Sequence, residues 1–235
     1  MDALVAADGL QVPGADLTRF LMEHKFGVDE ITTKIAILQE EFTHLHDYNP
    51  IDHLESRVKS PQSIREKALR RGIELSIPAI RAHLTDIAGV RVTCSFTSDV
   101  YRVFDLLSGQ TDLTVLEVED YIARPKPNGY RSLHALVEVP VHLSDRVVPV
   151  TAELQLRTVA MDFWASLEHK IYYKYRTDVP PALLRELTEA AETAASLDAQ
   201  MERLHKQTHP VARPPAVAEA GPSRVSPITD DVGVR

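Results

Sequence analysis

The 235-residue chain is 44% hydrophobic and 26% charged, a globular composition with room for one domain of moderate size plus appendages. A net charge of −8 and a pI near 5.7 argue against a general nucleic-acid binder, although a local basic cluster can still hold a phosphate ligand. A single cysteine excludes an internal disulfide or a cysteine-rich metal centre, and no stretch has the apolar length of a membrane span or the pattern of a secretion signal, so a soluble cytoplasmic protein is expected.

Residues 1–28 are read as an N-terminal segment, partly loose. From Asp29, which can cap a helix, Ile31, Ile35, Leu38, Phe42 and Leu45 form one apolar stripe that ends at Asn49-Pro50. His53 to Lys59 reads as a short strand. Pro61 to Arg71 reads as a helix with Ile64, Ala68 and Leu69 inward and Gly72 as its stop. A helical piece follows from Pro78 to Leu84. The β-branched run 87–96 reads as a central strand and contains Cys94, expected to be buried rather than nucleophilic. Ser98 is placed as the cap of a helix carrying Val100, Val103, Phe104 and Leu107. Three further strands are expected over 113–122, 133–139 and 147–156. In the last, Val150, Ala152, Leu154 and Leu156 alternate with Thr151, Glu153, Gln155 and Arg157, which take the other face.

A helix from Thr158 to about Tyr173 would pack Phe163, Trp164, Leu167 and Ile171. Residues 180–207 form a long helix in which Leu183, Leu187, Ala190, Ala194, Leu197, Met201 and Leu204 recur at heptad spacing. Such a seam needs a partner, either the Asp29 helix or another subunit. Residues 208–235, rich in proline, alanine and serine, read as a disordered tail. Strands separated by helices in this order suggest one mixed sheet of about five strands flanked by helices, an α+β or α/β domain.

Three constellations could carry chemistry. The loop DYIARPKPNGYRSLH, residues 120–134, is stiffened by prolines and turned at Asn128-Gly129. It presents Lys126, Asn128 and Tyr130: a charge for phosphate, an amide for a base edge and a ring for stacking. A solvated loop with a half-buried tyrosine explains it equally well. In SRVKSPQSIREKALRR, Arg57 and Lys59 share a strand face, and Ser63, Lys67 and Arg70 follow on the next helix. Cations converging at a helix start can cradle a triphosphate, although a solvated basic helix looks the same and no Walker loop occurs. Asp86 and Glu153 are carboxylates beside apolar strands. They suit either a divalent metal or a neighbouring arginine, Arg91 or Arg157. The sequence HLHD at 44–47 has the doublet of a metal phosphohydrolase without further ligands, and reads better as histidines at a helix end.

Taken together, PIDHLESRVKSPQSIREK, DIAGVRV, DYIARPKPNGYRSLH and AELQLRTVAMDFWASLEHKIYYKY resemble the RelA/SpoT synthetase domain, most closely the small alarmone synthetases of the RelP and RelQ type. Four motifs in family order over about half of the chain are far more specific than any one alone. The resemblance implies an α+β, nucleotidyltransferase-like domain over 29–176. It also implies a Mg²⁺-dependent transfer of the β,γ-diphosphate of ATP to the ribose 3′-hydroxyl of GTP or GDP. It assigns Arg57 and Arg91 to the adenine, and Lys59, Ser63, Lys67 and Arg70 to the ATP phosphates. Asp86 and Glu153 would hold the metal, with Glu153 as base. Tyr130 would stack on guanine, with Lys126, His134 and Gln155 around the acceptor nucleotide and Asn128, counted with this GTP/GDP-binding set, shaping the loop. A homotetramer built on the terminal helices is implied as well, and the length suits a synthetase without hydrolase or regulatory domains. The acidic Glu117-Val118-Glu119-Asp120 matches synthetase-only relatives. Product-regulated relatives carry Phe and Asn where this chain has His53 and Asp162. The alternative is an inactive nucleotide- or RNA-binding module on the same fold.

Overall fold

The computed structural model describes residues 14–175 and 180–208, so the readings for residues 1–13 and for the tail beyond 208 lie outside the described residues. Five strands form one mixed sheet in the order β1-β2-β5-β4-β3. They are β1 (Ile51–Val58), β2 (Ala88–Cys94), β3 (Thr114–Asp120), β4 (Leu133–His142) and β5 (Val147–Thr158). β2 and β5 pair in parallel and every other neighbouring pair is antiparallel, as an α+β fold requires. The helices are α1 (Gly14–Leu45), α2 (Pro61–Arg71), α3 (Ile77–His83), α4 (Thr97–Ser108), α5 (Val159–Tyr175) and α6 (Pro181–Thr208).

The sheet has one apolar and one polar face because its strands alternate. Val90, Val92, Ala135, Val137, Ala152, Leu154 and Leu156 are buried against Val28, Ile31 and Ile35 of α1 and Val100, Val103 and Leu107 of α4. At about 25 cal/mol per Å² this layer supplies most of the folding drive. A second cluster joins Leu17 and Phe20 of α1 to Ile64 and Ala68 of α2 and Ile80 of α3. α1 comes so close to β5 that a Cβ on Gly27 would lie 2.5 Å from a methyl of Val150.

Helix α1 begins fifteen residues before the expected start at Asp29. The stripe was obscured because Glu23, His24 and Gly27 interrupt it, and all three are buried. Glu23 is neutralised by Arg81 at 2.6 Å and Arg146 at 3.0 Å, while His24 Nδ1 lies 2.8 Å from the Phe20 carbonyl. Asp29 is not a cap; it pairs with Lys25 one turn earlier. Leu45 and Leu69, expected to face inward, are exposed. Helix α4 is capped by Asp99, whose carboxylate accepts from the Phe96 amide at 3.2 Å, rather than by Ser98.

The C-terminal helix departs most from its expected packing. α6 lies against α5 and the start of α4, with Leu187, Ala191 and Asp198 buried, and not along α1. Leu197, Met201 and Leu204 of the heptad seam remain exposed, as do Phe163 (66%) and Leu167 (41%) of α5. Phe163, Leu167, Leu197 and Met201 line an apolar groove of about 880 Å³ between the two helices, with Leu183 and Ala190 on its wall. The seam therefore has two sides, one filled within the chain and one left open.

Candidate active site

Register brings the polar residues together. Across the sheet, Arg57, Gly89, Glu153, Leu136 and Glu117 are successive partners in one row. Two residues along, Glu55, Arg91, Gln155, His134 and Glu119 form the next. Directly paired residues point to the same side of a sheet, so these side chains share the polar face. Gly89 has no side chain between Arg57 and Glu153. Two clefts result: one of about 210 Å³ lined by Arg57, Arg91, Glu153 and Gln155, and one of about 90 Å³ lined by Thr85, Glu117, Glu119, His134 and Glu153. Glu153 belongs to both.

On the first side, Asp86 sits where the loop after α3 enters β2. One of its oxygens accepts from Lys59 Nζ at 2.8 Å and from Lys67 Nζ. The other, Oδ1, is buried without a partner. Burial pushes the Asp86 carboxyl up, but the two ammonium groups outweigh it and hold it below the usual carboxylate range. The expected alternative, in which Asp86 or Glu153 pairs with an arginine, is overturned: Arg91 Nη1 lies 3.1 Å from Glu55 and 3.5 Å from Asp162 instead. Arg57 is exposed on β1. Ser60 caps α2, accepting from the Ser63 amide at 3.2 Å, so the Ser63 hydroxyl stands at the helix start; Arg70 is exposed in its last turn.

On the second side, the loop 121–132 closes on itself and on the C-terminal helices. The Gly129 amide donates to the Lys126 carbonyl at 2.8 Å, and Gly129 has φ +88, the left-handed region that favours glycine. A side chain there would also collide with Ala191 of α6. Both ends of the Asn128 amide are engaged within the protein. Its Nδ2 donates to Glu168 of α5 at 3.0 Å and its Oδ1 accepts from the Tyr130 amide at 3.2 Å, so Asn128 shapes the loop rather than facing the cleft. Tyr130 is half-buried beside Trp164, whose indole donates to the Leu187 carbonyl at 2.9 Å. Lys126 is exposed with Nζ 4.2 Å from the Tyr121 ring centroid and 5.2 Å from that of Tyr130.

Behind Tyr130 the polar groups join in sequence. Its hydroxyl lies 2.8 Å from His134 Nε2, His134 Nδ1 lies 3.2 Å from Glu153 Oε1, and Gln155 Nε2 donates to Glu153 Oε2 at 3.0 Å. The hydrogen bond from His134 is the main reason the Glu153 carboxyl is held below its ordinary range; burial and the negative charge of Asp86 work against it. Glu153 is thus ionised near neutral pH, and Asp86 is close enough for its charge to be felt. Arg157, which the sequence offered only as a counter-ion, is buried among these groups.

The buried, unpartnered Oδ1 of Asp86, with an ionised Glu153 close enough to feel its charge, suits a hard divalent cation. Mg²⁺ takes one or two carboxylates plus substrate oxygens and needs no larger protein cage. No group of three or more His, Cys, Asp or Glu suited to a metal occurs among the described residues. His46 at the end of α1 is exposed, 3.5 Å from Glu41 and against Phe42. No helix among the described residues is long and apolar enough to cross a membrane.

Residues 56–178 match the family described as a region found in RelA / SpoT proteins. The chain is 50% identical over 200 residues to GTP pyrophosphokinase YwaC of Bacillus subtilis (strain 168), covering 85% of this chain and 95% of that protein. The fold superposes on small alarmone synthetase 1 from Bacillus subtilis bound to its product pppGpp, with TM-score 0.76 and 35% identity over 82% of this chain and 98% of that one. It also superposes on the same synthetase bound to AMPCPP, with TM-score 0.70 and 31% identity over 83% and 98% of the two chains. A motif-bearing match over more than half of the sequence, carried on the sheet and register just described, makes this chain a member of the RelA/SpoT family, with the architecture of its small alarmone synthetases.

Proposed function

We propose that the protein is a GTP pyrophosphokinase that makes (p)ppGpp. The observation that carries this reading is the position of Glu153, an ionised carboxylate on the wall common to a cleft with arginines and a cleft beside a tyrosine and a histidine. Small alarmone synthetase 1 from Bacillus subtilis was crystallised with AMPCPP and with pppGpp, an adenine and a guanine nucleotide, which supports a site that takes one nucleotide of each kind.

In this reading Arg57 and Arg91 flank the adenine. Lys59, Ser63, Lys67 and Arg70 hold the phosphates, with the two lysines turning from Asp86 toward them. Tyr130 stacks on the guanine, with Lys126 beside it. The 3′-oxygen of GTP or GDP attacks the β-phosphorus of ATP, the bond between that phosphorus and the α,β-bridging oxygen breaks, and AMP leaves. Glu153 takes the hydroxyl proton. Asp86 and Glu153 would hold Mg²⁺, which would supply charge neutralisation at the transferring diphosphate. The hydroxyl is a weak nucleophile, and a fixed base with an aligned diphosphate answers that weakness.

The same reading places the enzyme in the cytoplasm and assigns the open groove between α5 and α6 to further copies of the chain, as a homotetramer. The test is direct. Purified protein is mixed with ATP, Mg²⁺ and GTP, GDP or GMP, and the products are identified by mass spectrometry and ³¹P NMR. AMP with a guanosine 3′-diphosphate is expected. Bound nucleotides without AMP formation would leave the inactive binding module instead.

A further inference from the structure

Helix α5 begins where β5 ends, and its first turn carries a carboxylate back to the sheet. The Thr158 hydroxyl accepts from the Met161 amide at 3.1 Å and donates to the buried Asp198 of α6 at 2.7 Å, which pins that turn. Asp162 comes next, with its side chain 29% exposed. Its Oδ1 accepts from Arg157 Nη1 at 3.2 Å and lies 3.5 Å from Arg91 Nη1. One oxygen thus serves two guanidinium groups from adjacent strands. Register explains why they meet: Arg91 of β2 is the partner of Gln155 of β5, and Arg157 follows Gln155 two residues on, along the same face.

The two arginines serve different sides of the site. Arg91 lines the cleft that also holds Arg57 and Glu55. Arg157 is buried, and its Nη2 donates to the Tyr130 hydroxyl at 3.0 Å and to Gln155 Oε1 at 2.9 Å. Two cations brought this close repel each other. Burial works most strongly against the Arg157 charge and Arg91 adds to it, while Asp162 is among the groups that favour it. The other two acceptors of Arg157 are a phenol and an amide, both neutral, so Asp162 is the counter-ion in that set. Arg91 has a second one, Glu55 Oε2 at 3.1 Å, but Glu55 lies on β1, with β2 between it and the strand of Arg157.

We propose that Asp162 is a positioning residue shared by the two nucleotide clefts, holding Arg91 in place for the donor base and Arg157 on the hydroxyl of the tyrosine that stacks on the acceptor base. This rests on the function proposed above, in which Arg91 flanks the adenine and Tyr130 the guanine. Without Asp162 the two guanidinium groups repel each other across the seam between β2 and β5. Arg91 is then drawn toward Glu55 alone, and Arg157, buried without its anion, loosens its hold on Tyr130. Neither change removes a partner of Glu153 or Asp86, so the loss falls on the binding of both nucleotides.

Calorimetry reads each cleft by itself, with AMPCPP and Mg²⁺ for the donor and GDP for the acceptor. Asp162→Ala should weaken both by about 5- to 20-fold, between the worth of an exposed ion pair and that of a hydrogen bond to a charged group. Asp162→Asn, which keeps an acceptor without the charge, should fall between Asp162→Ala and the wild type. Glu55→Gln touches the Arg91 side alone, and should weaken AMPCPP while leaving GDP within about twofold of wild type. On an Arg157→Met background, Asp162→Ala should still weaken AMPCPP but cost GDP less than about twofold more, because its route to Tyr130 is already gone. A purely structural role for Asp162 would lower the urea midpoint without this pattern. Asp162→Ala that leaves either nucleotide within about twofold of wild type overturns the proposal, and so does a GDP loss that persists undiminished on the Arg157→Met background. None of these measurements needs turnover. Wild-type protein that binds both nucleotides and forms no AMP counts against the reaction alone, whereas wild-type protein that binds neither overturns the reaction and this inference together.

Discussion

The two sides of the polar face are held in place by different forces. On the side of Arg57 and Arg91, charges answer charges: Lys59 and Lys67 rest on Asp86, and Arg91 rests on Glu55 and Asp162. On the side of Tyr130, geometry is set by packing: Gly129 against Ala191, Tyr130 near Trp164, and Asn128 tied to Glu168. The first arrangement can exchange its partners for the phosphates of a polyanion at little structural cost. The second is a preformed platform whose shape depends on α5 and α6. One half of the site adapts and the other half is built in advance.

The largest expected contrast comes from removing the charge at the centre of the adaptable half. Asp86→Asn should lower kcat by about 10²- to 10³-fold, the range for losing one electrostatic stabiliser. KM for the guanine nucleotide should stay within about threefold, because nothing in the packed half contacts Asp86; steady-state kinetics with either substrate varied checks both. Tyr130→Ala should do the reverse. Losing a stacking surface is typically ~1–3 kcal/mol, or roughly 5- to 150-fold in acceptor affinity, with ATP binding preserved, as calorimetry would show. A comparable loss for both nucleotides would erase the distinction between the halves.

Acid titration sharpens the comparison through its sign. Asp86 has a carboxyl depressed by Lys59 and Lys67, so its contribution to stability is present above the ordinary carboxylate range and is lost as pH falls through its folded pKa. Glu168, which braces the loop, is raised by burial, so its ionisation opposes folding at neutral pH and that opposition fades as pH falls. Urea denaturation should therefore find Asp86→Asn destabilised at pH 7 and closer to wild type in acid. Glu168→Gln should be neutral or slightly stabilised at pH 7, with the difference shrinking as pH falls. A stability effect is also expected at the loop turn. Gly129→Ala meets both a positive φ and Ala191, and should reduce stability by about 1–3 kcal/mol while weakening the guanine nucleotide more than ATP.

Much of this was legible in the sequence where periodicity or motif spoke. All five strands, the alternation of Val150 to Leu156 and the motif residues now on one sheet face came from local patterns. Helix α1 before Asp29 did not, because its stripe passes through the buried Glu23, satisfied by Arg81 and Arg146 from distant segments, and the buried His24, bonded to the Phe20 carbonyl one turn earlier. The heptad of α6 named Leu187 of the buried face but missed Ala191 and Asp198, since spacing cannot tell a face filled by α5 from one left open. Arg157 was hidden because a strand residue alternating with apolar neighbours looks like any surface charge. Only the fold reveals that its guanidinium reaches the Tyr130 hydroxyl and the Gln155 amide. Asn128 carried an amide suited to a base edge and the resemblance set Gln155 around the acceptor, yet the fold engages both ends of each amide.

The central claim is that one carboxylate between two nucleotides acts on the bond being made. Glu153→Gln preserves shape and a hydrogen-bond acceptor while removing the base. Single-turnover transfer should fall by at least about 10²-fold, with ATP-analogue and GDP affinities from calorimetry within about threefold of wild type. A variant that transfers diphosphate at the wild-type rate with both nucleotides bound would contradict the account.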